Sequence, residues 1–358
     1  MQRVTAISGV GVKGPACFLY EAAGLRLLLD LGRGPDGDSL PVIDGLGRID
    51  AILFSHGHVD HTGGLVLWEA LGKPPLYATR PTIALSNHAE LRTATPLEEC
   101  ERIYGITLET GPCGHAPGAV WMRLGGKDGL VYSGDVSLES TLFRSSLPPR
   151  AKALIFDASY GVANIPLSEQ IAKIDSILDA EPILFPCPAG GRGLEMARHF
   201  LEKGLPVSLC PSHRQVAETL LSHESWLTAG GCAVLDDLLS KGGHLEADSP
   251  LEGVMIAAGP NAERGAAKAI AERLIATKSG QIVFTGHIAG GQPSEAMVRN
   301  GTARFLRWNV HPRLGEQRRL LEAVAPQQAL AAFCHPQALA ELRAETGWPI
   351  APGTVMEW

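Results

Sequence analysis

One short segment, residues 55–61, constrains the fold of this chain more than any other. It reads Ser-His-Gly-His-Val-Asp-His, so four residues of metal-ligand type fall within six positions. An apolar run at residues 49–54 precedes it and favours a buried strand, and residues 62–71 suit the start of a helix. Clefts of layered α/β proteins open at the carboxyl ends of strands. The segment therefore predicts an α/β protein with a ligand-bearing loop, the alternative being a surface loop that happens to be rich in histidine.

The spacing within this loop predicts how its side chains point. His56 and His58 are two residues apart, so in an extended segment they face the same way. Asp60 and His61 follow where the chain turns, and they can face a second ion a few Å away. Imidazole nitrogens together with a carboxylate suit a divalent ion such as Zn²⁺. One loop is thus predicted to supply ligands to both halves of a two-metal site.

Composition narrows the class of protein. The 358 residues suffice for one large domain or two ordinary ones, and no apolar run approaches the roughly 18–20 residues of a membrane span. We expect no signal peptide and no membrane partner. Seven scattered cysteines without a C-x-x-C pair argue against a disulfide framework and for a reducing cytoplasm. The net charge of −7 argues against broad non-specific binding of nucleic acid, although a local basic groove remains compatible with it.

Further candidate ligands lie at turns and at the ends of predicted strands. Asp30 follows an apolar run, and an acid there can orient a metal-bound histidine, the alternative being a simple turn aspartate. His115 lies in a glycine-flanked turn and is a candidate ligand. Asp135 ends a second strand and can bridge two metals, or it caps a turn. Asp157 ends a third strand, so three strand-end carboxylates are expected to converge on one edge of stacked sheets.

From residue 160 to residue 300 the sequence pattern differs from that of the preceding part and repeats strand–loop–helix units. This pattern predicts a parallel sheet in a second α/β domain. Glycine turns before helix N-termini can hold phosphates, although such turns are ordinary in α/β proteins. The candidate phosphate-binding or substrate-binding residues are Gly190, Gly191, Arg192 and Gly259.

Two histidines lie in the C-terminal part of the chain. His311 lies within residues 299–319, which carry six arginines and a lone glutamate. The plain interpretation of this cluster is a solvated helix face. His335 ends a further predicted strand.

Together these motifs resemble the metallo-β-lactamase superfamily, and more narrowly its β-CASP branch of the ribonuclease J and mRNA 3′-end processing endonuclease type. The superfamily motifs are matched by Asp30, His56, His58, Asp60, His61, His115 and Asp135. Asp157, His311 and His335 are similar to the acidic motif A and the histidine motifs B and C of the branch. The segment at 188–192 is similar to its Gly-Arg loop. The chain departs from the branch after His311 and after His335, where prolines follow.

The resemblance implies a fold and a domain arrangement. The fold class is α/β: an αββα metallo-β-lactamase sandwich with an inserted parallel α/β domain of the β-CASP type. The implied boundaries are a first part of the metallo-β-lactamase domain at 1–162, the insert at 163–300 and the C-terminal part at 301–358.

The resemblance also implies a zinc-dependent hydrolase that cleaves phosphodiester bonds with a metal-bridging hydroxide. His56, His58 and His115 would hold one of two Zn²⁺ ions per chain, and Asp60, His61 and His335 the other. Asp135 would bridge the two ions. Asp60, Asp157 and His311 are the implied catalytic residues, with His311 serving the leaving group and Asp157 holding its imidazole.

Three functions remain open at this point. The first is a β-CASP-type (ribo)nuclease acting on single-stranded RNA. The second is a metallohydrolase of small phosphodiesters, phosphotriesters or esters and lactones, which the acidic charge and the altered motifs favour. The third is a binding protein without activity. The sequence does not distinguish RNA from DNA or exo from endo cleavage, and it leaves the oligomeric state unknown.

Overall fold

A computed structural model describes residues 1–178 and 182–358. The chain divides into two compact units. The first comprises Met1–Leu138, Arg144–Asn164 and His311–Trp358, and the second comprises Glu139–Phe143 and Ile165–Val310. The domain boundaries expected after residues 162 and 300 stay a prediction.

The first unit contains a sheet of seven strands in the order β19-β1-β2-β3-β4-β5-β6. These strands are β1 (Arg3–Ser8), β2 (Cys17–Ala22), β3 (Leu25–Leu29), β4 (Ala51–Leu53), β5 (Leu76–Ala78), β6 (Thr95–Pro96) and β19 (Val355–Glu357). Strands β2 and β3 form an antiparallel hairpin with its turn at Ala23 and Gly24, and β3, β4 and β5 run parallel.

The same unit contains a second sheet of six strands in the order β18-β11-β10-β9-β8-β7. Its members are β7 (Arg102–Ile103), β8 (Ile106–Pro112), β9 (Val120–Leu124), β10 (Leu130–Tyr132), β11 (Ala153–Asp157) and β18 (Gln328–Ala332). The two sheets pack face to face through aromatic rings, with the centroid of Phe18 5.4 Å from that of Tyr132 and 6.0 Å from that of Phe333.

Helices and 3₁₀ turns lie around the two sheets of the first unit. The α-helices are α1 (Val59–Thr62), α2 (Arg80–Leu85), α9 (Leu314–Val324) and α10 (Pro336–Thr346). The 3₁₀ helices are Gly63–Leu67, Glu90–Thr93, Leu97–Glu99 and Gly126–Asp128. Leu321 of α9 and Leu342 of α10 pack with Phe156 of β11 in one apolar cluster, so these two helices cover the second sheet.

The second unit contains a sheet that is parallel throughout, in the order β14-β13-β15-β12-β16-β17. Its strands are β12 (Ile183–Cys187), β13 (Val207–Leu209), β14 (Gly243–His244), β15 (Val254–Ala258), β16 (Gln281–Phe284) and β17 (Arg304–Phe305). Its helices are α3 (Leu167–Asp175), α4 (Arg192–Glu202), α5 (Pro211–Leu221), α6 (Gly231–Lys241), α7 (Gly265–Thr277) and α8 (Pro293–Arg299), with a 3₁₀ turn at Glu224–Trp226.

The predicted fold class, a metallo-β-lactamase sandwich with an added parallel α/β region, is confirmed by these sheets. Some local predictions differ from the structure. Residues 62–71 begin with the end of α1 and a 3₁₀ helix, because Gly63 and Gly64 pack closely against other parts of the backbone and side chains. The stretch at 74–110, for which no strands were predicted, contains β5, β6, β7 and most of β8. Within the described residues, no helix is long and apolar enough to cross a membrane.

Candidate metal centre

The site is built where parallel strands of the first unit end. Leu29 of β3 pairs with Leu53 of β4, so Asp30 and Ser55 follow neighbouring strand ends. In the second sheet, Tyr132 of β10 pairs with Ile155 of β11, so the chain reaches Asp135 and Asp157 just beyond these positions. The two sheets meet there, because Val120 N donates to Ser55 O over 3.0 Å. The expected convergence of the three strand-end carboxylates thus takes place at one edge of the stacked sheets.

The histidine loop brings His56 and His58 close together. His56 follows β4, and His58, with an extended backbone, immediately precedes α1. Their rings are 4.7 Å apart between centroids. His115, on the second sheet's side, brings its Nε2 to 3.0 Å from His58 Nδ1. These three histidines offer nitrogens that all lie within 4.8 Å of one another.

His115 owes its position to a tight turn. Gly114 has φ +76, a conformation that favours glycine, and a Cβ there would lie 2.2 Å from Ser137 O. The turn therefore closes against the backbone after Asp135, and Cys113 O accepts from Ser137 N at 2.8 Å. This close approach holds the imidazole of His115 over the carboxylate of Asp135, with Nε2 3.4 Å from Oδ2.

Asp135 lies at the centre of the candidate site. Its carboxylate is 3.9 Å from His56 Nε2 and 3.3 Å from His61 Nε2. Two further groups of donors within 4.8 Å include it: one with His56 and His61, the other with His115 and His311. A carboxylate shared by two neighbouring donor groups is the arrangement that a bridging ligand requires.

Asp30 orients the imidazole ring of His61 through the ring nitrogen that faces away from Asp135. Its Oδ2 accepts from His61 Nδ1 at 2.7 Å, which leaves His61 Nε2 facing Asp135. The same carboxylate accepts from Ser55 N and Ser55 Oγ, each at 2.7 Å, and from the Tyr132 hydroxyl. Asp30 is fully buried and is positioned to orient a ligand rather than to act as one.

Burial and neighbouring charges shift the pKa values of these side chains in different directions. Burial, with the charges of His61 and His58, holds the pKa of His56 well below its ordinary value, so its imidazole is neutral and can act as a ligand. Burial opposes the charge of His61, but Asp135 and Asp30 outweigh it and raise the pKa of His61 well above its usual value. Burial likewise opposes the charge of Asp135, but the neighbouring imidazoles, foremost His61, lower its pKa.

The donor set fits a metal ion. His56 Nε2 is buried and has no hydrogen-bond partner within the described chain, although a buried polar atom ordinarily finds one. It faces the shared carboxylate of Asp135. Imidazole nitrogens and a buried carboxylate within coordination range of one another are the donors that zinc takes in hydrolases.

His311 and Asp157 form a pair beside these donors. His311 Nδ1 donates to Asp157 Oδ2 over 2.8 Å and lies 3.6 Å from Asp135 Oδ2. Asp157 also accepts from Val136 N at 3.1 Å and from Ser159 N at 2.9 Å, so its orientation is held by the backbone. The structure therefore brings together the two residues predicted to serve the leaving group. It also adds His311 to a donor group that the sequence did not predict.

Two predicted metal ligands lie outside the donor groups that occur among residues 1–178 and 182–358. Asp60 is half-buried in the first turn of α1, and its backbone carbonyl accepts from Ala16 N at 2.9 Å. His335 immediately precedes α10 with an extended backbone, and its exposed side chain makes no capping hydrogen bond. The assignment of both residues to a second ion stays a prediction.

The candidate phosphate-binding residues belong to the second unit. Arg192 begins α4, is 8% exposed, and donates from Nε to Thr285 Oγ1 over 3.0 Å. Its guanidinium lies against Gly286, where a Cβ would meet an Arg192 nitrogen at 2.1 Å. Gly190 and Gly191 precede α4, and Gly259 follows β15. Their phosphate-binding role stays a prediction.

Sequence reasoning missed Lys13. It lies between β1 and β2, and its Nζ is 2.9 Å from Ser159 Oγ and 3.3 Å from His311 Nε2. Burial opposes its charge, but the carboxylates of Asp135 and Asp157 act in the other direction, and the net effect raises the pKa of Lys13. The only sequence signal was a lysine in a glycine-rich loop after the first strand.

Comparison with known proteins identifies a matching family model and several similar proteins. The sequence model of the metallo-beta-lactamase superfamily matches residues 10–172. The chain is 26% identical over 254 residues to transcription termination factor FttA of Cenarchaeum symbiosum, a match that covers 56% of this chain and 39% of that protein. It is 31% identical over 176 residues to ribonuclease TTHA0252 of Thermus thermophilus, covering 41% of each protein. An RNase J-like protein of Methanocaldococcus jannaschii is 23% identical over 257 residues, covering 60% of this chain and 59% of that protein.

A solved structure shares the fold over nearly the full length. It is a protein of unknown function from Enterococcus faecalis, with a TM-score of 0.57, 13% sequence identity, and 99% of both chains covered. The chain spans well under two thirds of the length of the curated relatives described above. Together these matches confirm the resemblance to the metallo-β-lactamase superfamily, matched at residues 10–172, and to its β-CASP branch.

Proposed function

We propose that the chain is a metal-dependent hydrolase of phosphodiester bonds, and that its substrate is single-stranded RNA. The observation that carries the proposal is the position of Asp135, which belongs to two of the donor groups at the strand ends. The similarity to a ribonuclease and to an RNase J-like protein supports RNA as the substrate. The seven free cysteines support a reducing cytoplasm as the location.

The metal proposed is zinc, with two ions per chain. His56, His58 and His115 would hold the first ion, and Asp60, His61 and His335 the second, with Asp135 shared between them. When bound, zinc supplies a Lewis acid for a phosphoryl oxygen and makes a water ligand more acidic.

The chain's own residues would prepare the remaining chemistry. Asp30 accepts a hydrogen bond from His61 Nδ1, which holds the imidazole with its Nε2 directed at Asp135. Asp157 does the same for His311, because it accepts from His311 Nδ1 at 2.8 Å. The Asp157–His311 pair would serve the leaving oxygen of the substrate.

Metal content and one substitution test this proposal. The protein purified after zinc-supplemented expression should carry close to two zinc equivalents per chain. Asp135→Asn should reduce cleavage of 5′-labelled single-stranded RNA by several orders of magnitude, since a neutral amide is a poor bridge between cations. Zinc near zero with no activity on adding metal, or full turnover by Asp135→Asn, would contradict the proposal.

A second candidate is a metallohydrolase of small phosphodiesters, phosphotriesters or esters. This second candidate is favoured by the state of Arg192, the arginine predicted to bind an RNA phosphate. Its side chain is buried and already donates to Thr285 Oγ1. The net charge of −7 points the same way. Bis-p-nitrophenyl phosphate separates the two candidates, since only the second predicts turnover of this ester with no cleavage of RNA.

A further inference from the structure

Lys13 belongs to a loop that is tied to the strand ends of the candidate site. The loop runs between β1 and β2, and its backbone is held at both sides. Phe333 N, just after β18, donates to Gly9 O over 2.7 Å, and Ala16 N donates to Asp60 O over 2.9 Å. The loop that carries Lys13 is therefore anchored at both of its ends to segments that carry the site.

The ammonium of Lys13 is positioned by two partners that share one support. Nζ donates to Ser159 Oγ over 2.9 Å and lies 3.3 Å from His311 Nε2. Asp157 holds both partners: its Oδ1 accepts from Ser159 N at 2.9 Å and its Oδ2 from His311 Nδ1 at 2.8 Å. Asp157 thus determines where the charge of Lys13 lies.

The numbers of hydrogen-bond donors and acceptors on Lys13 and His311 determine which of their atoms is available to a substrate. A lysine ammonium has three donors and no acceptor, so His311 Nε2 must accept from it. His311 Nδ1 then carries the ring's hydrogen and donates it to Asp157. Both nitrogens of His311 are engaged, whereas the ammonium retains one donor beyond Ser159 and His311.

We propose, building on the phosphodiesterase function proposed above, that Lys13 is a further catalytic residue whose ammonium contacts the leaving oxygen of the scissile phosphodiester. It acts electrostatically, by stabilising the negative charge that develops on that oxygen, and it transfers no proton. A fixed cation aimed at developing charge is among the most effective contributions to catalysis. The Asp157–His311 pair thus serves the leaving oxygen through the ammonium of Lys13, and His311, Ser159 and Asp157 are positioning residues for it.

The experiment compares Lys13→Met with the wild type on two substrates. We expect kcat on single-stranded RNA to fall by about 10²–10³-fold, because its leaving alkoxide needs stabilisation. On bis-p-nitrophenyl phosphate, whose leaving phenolate is already stable, the loss should be under about tenfold. Lys13→Arg keeps the charge and should recover at least about tenfold of the loss on RNA.

Two measurements separate this role from a structural one. Zinc content should be unchanged in Lys13→Met, and the metal-depleted variant should bind an RNA oligonucleotide within about threefold of the wild type, since the contact forms in the transition state. Lys127→Met, at an exposed lysine of the same unit, is the matched control and should behave like the wild type.

The failure of this proposal can be told from that of the proposed function. A wild type that cleaves neither substrate with metal bound would overturn both. An active wild type with a fully active Lys13→Met would overturn the role of Lys13 alone. So would equal losses on both substrates, or a loss of zinc in the variant.

Discussion

At the residue scale, Asp30 shows how one buried side chain can organise a site that it does not enter. Four donors converge on its carboxylate: Ser55 N, Ser55 Oγ, His61 Nδ1 and the Tyr132 hydroxyl. Tyr132 belongs to the second sheet, so this carboxylate ties the two sheets together as well as orienting His61. Its backbone has φ +59, a conformation that aspartate tolerates better than most residues.

Asp30→Ala should therefore destabilise the protein strongly. The substitution leaves several buried donors without an acceptor, and we expect the free energy of unfolding to fall by about 3–5 kcal/mol. Chemical denaturation measures this. Asp38→Ala is the matched control, because Asp38 also has positive φ (+55) but is exposed. A loss for Asp30→Ala no larger than that of the control would mean that only backbone strain is involved.

His311 carries a second prediction at this scale. His311→Ala should reduce cleavage of RNA by about 10²–10⁴-fold and affect an activated nitrophenyl ester much less, because only the RNA leaving group needs assistance. Asp157→Ala should show the same dependence on the leaving group in weaker form, since it acts through His311. Steady-state kinetics on both substrates checks this, and equal small losses on the two substrates would refute it.

At the element scale, the segment after β3 is held along α1 by backbone hydrogen bonds. Leu31 N donates to His61 O over 2.9 Å, and Arg33 N donates to Val59 O over 3.0 Å. Gly32 lies between them, and a Cβ there would be 1.7 Å from Asp60 O. The closeness of these two backbones fixes the short helix that carries Asp60 and His61.

Gly32→Ala should consequently disturb both stability and metal binding. Because the clash is with backbone, relief requires α1 to move, and we expect a loss of at least about 3 kcal/mol in the free energy of unfolding. Zinc content should fall as well, since His61 moves with α1. The control is Gly353→Ala, at a position where nothing lies within 4 Å of the added Cβ. Wild-type stability and zinc content in Gly32→Ala would contradict this packing.

At the scale of the whole molecule, a buried histidine couples stability to pH. His213 lies in α5 of the second unit, where its Nδ1 is 3.2 Å from Cys210 Sγ and its Nε2 is 3.1 Å from Pro188 O. Burial, opposed in part by the Pro188 carbonyl, lowers the pKa of His213 to about 4. The unfolded chain would titrate near the ordinary value of about 6.5.

The sign of the resulting pH dependence follows directly. Between about pH 6.5 and 4 the unfolded state binds a proton that the folded state refuses, so His213 lowers stability as the pH falls. Above about pH 6.5 His213 is neutral in both states and costs no stability. By pH 4 its effect has lowered the free energy of unfolding by about 3 kcal/mol.

Denaturation curves across this pH range test the effect, with His213→Asn expected to flatten the dependence by about one proton. His244→Gln, at an exposed histidine of the same unit, should leave the dependence unchanged. A wild-type slope in His213→Asn would show that other groups cause the acid sensitivity.

Features that depend on local order along the chain could be predicted without the structure. The ligand loop at 55–61, the strand ends at Asp30, Asp135 and Asp157, and the parallel α/β region were all predicted because apolar periodicity marks buried strands. Parallel strands bring their carboxyl ends to a common edge, so candidate ligands at those ends can be predicted to meet. The strands at 74–110 were not predicted from apolar periodicity, because most of them are short and lie among turns.

Contacts between side chains that are far apart in sequence could not be predicted in this way, because they depend on the tertiary packing. Lys13 and His311 are 298 residues apart, and no local pattern links them. Tyr132 reaches Asp30 across the interface of two sheets, and Arg192 is directed to Thr285 by the packing of its own unit. The physical reason is that periodicity tells which face of an element is buried, whereas the partner on that face depends on how the sheets and loops pack.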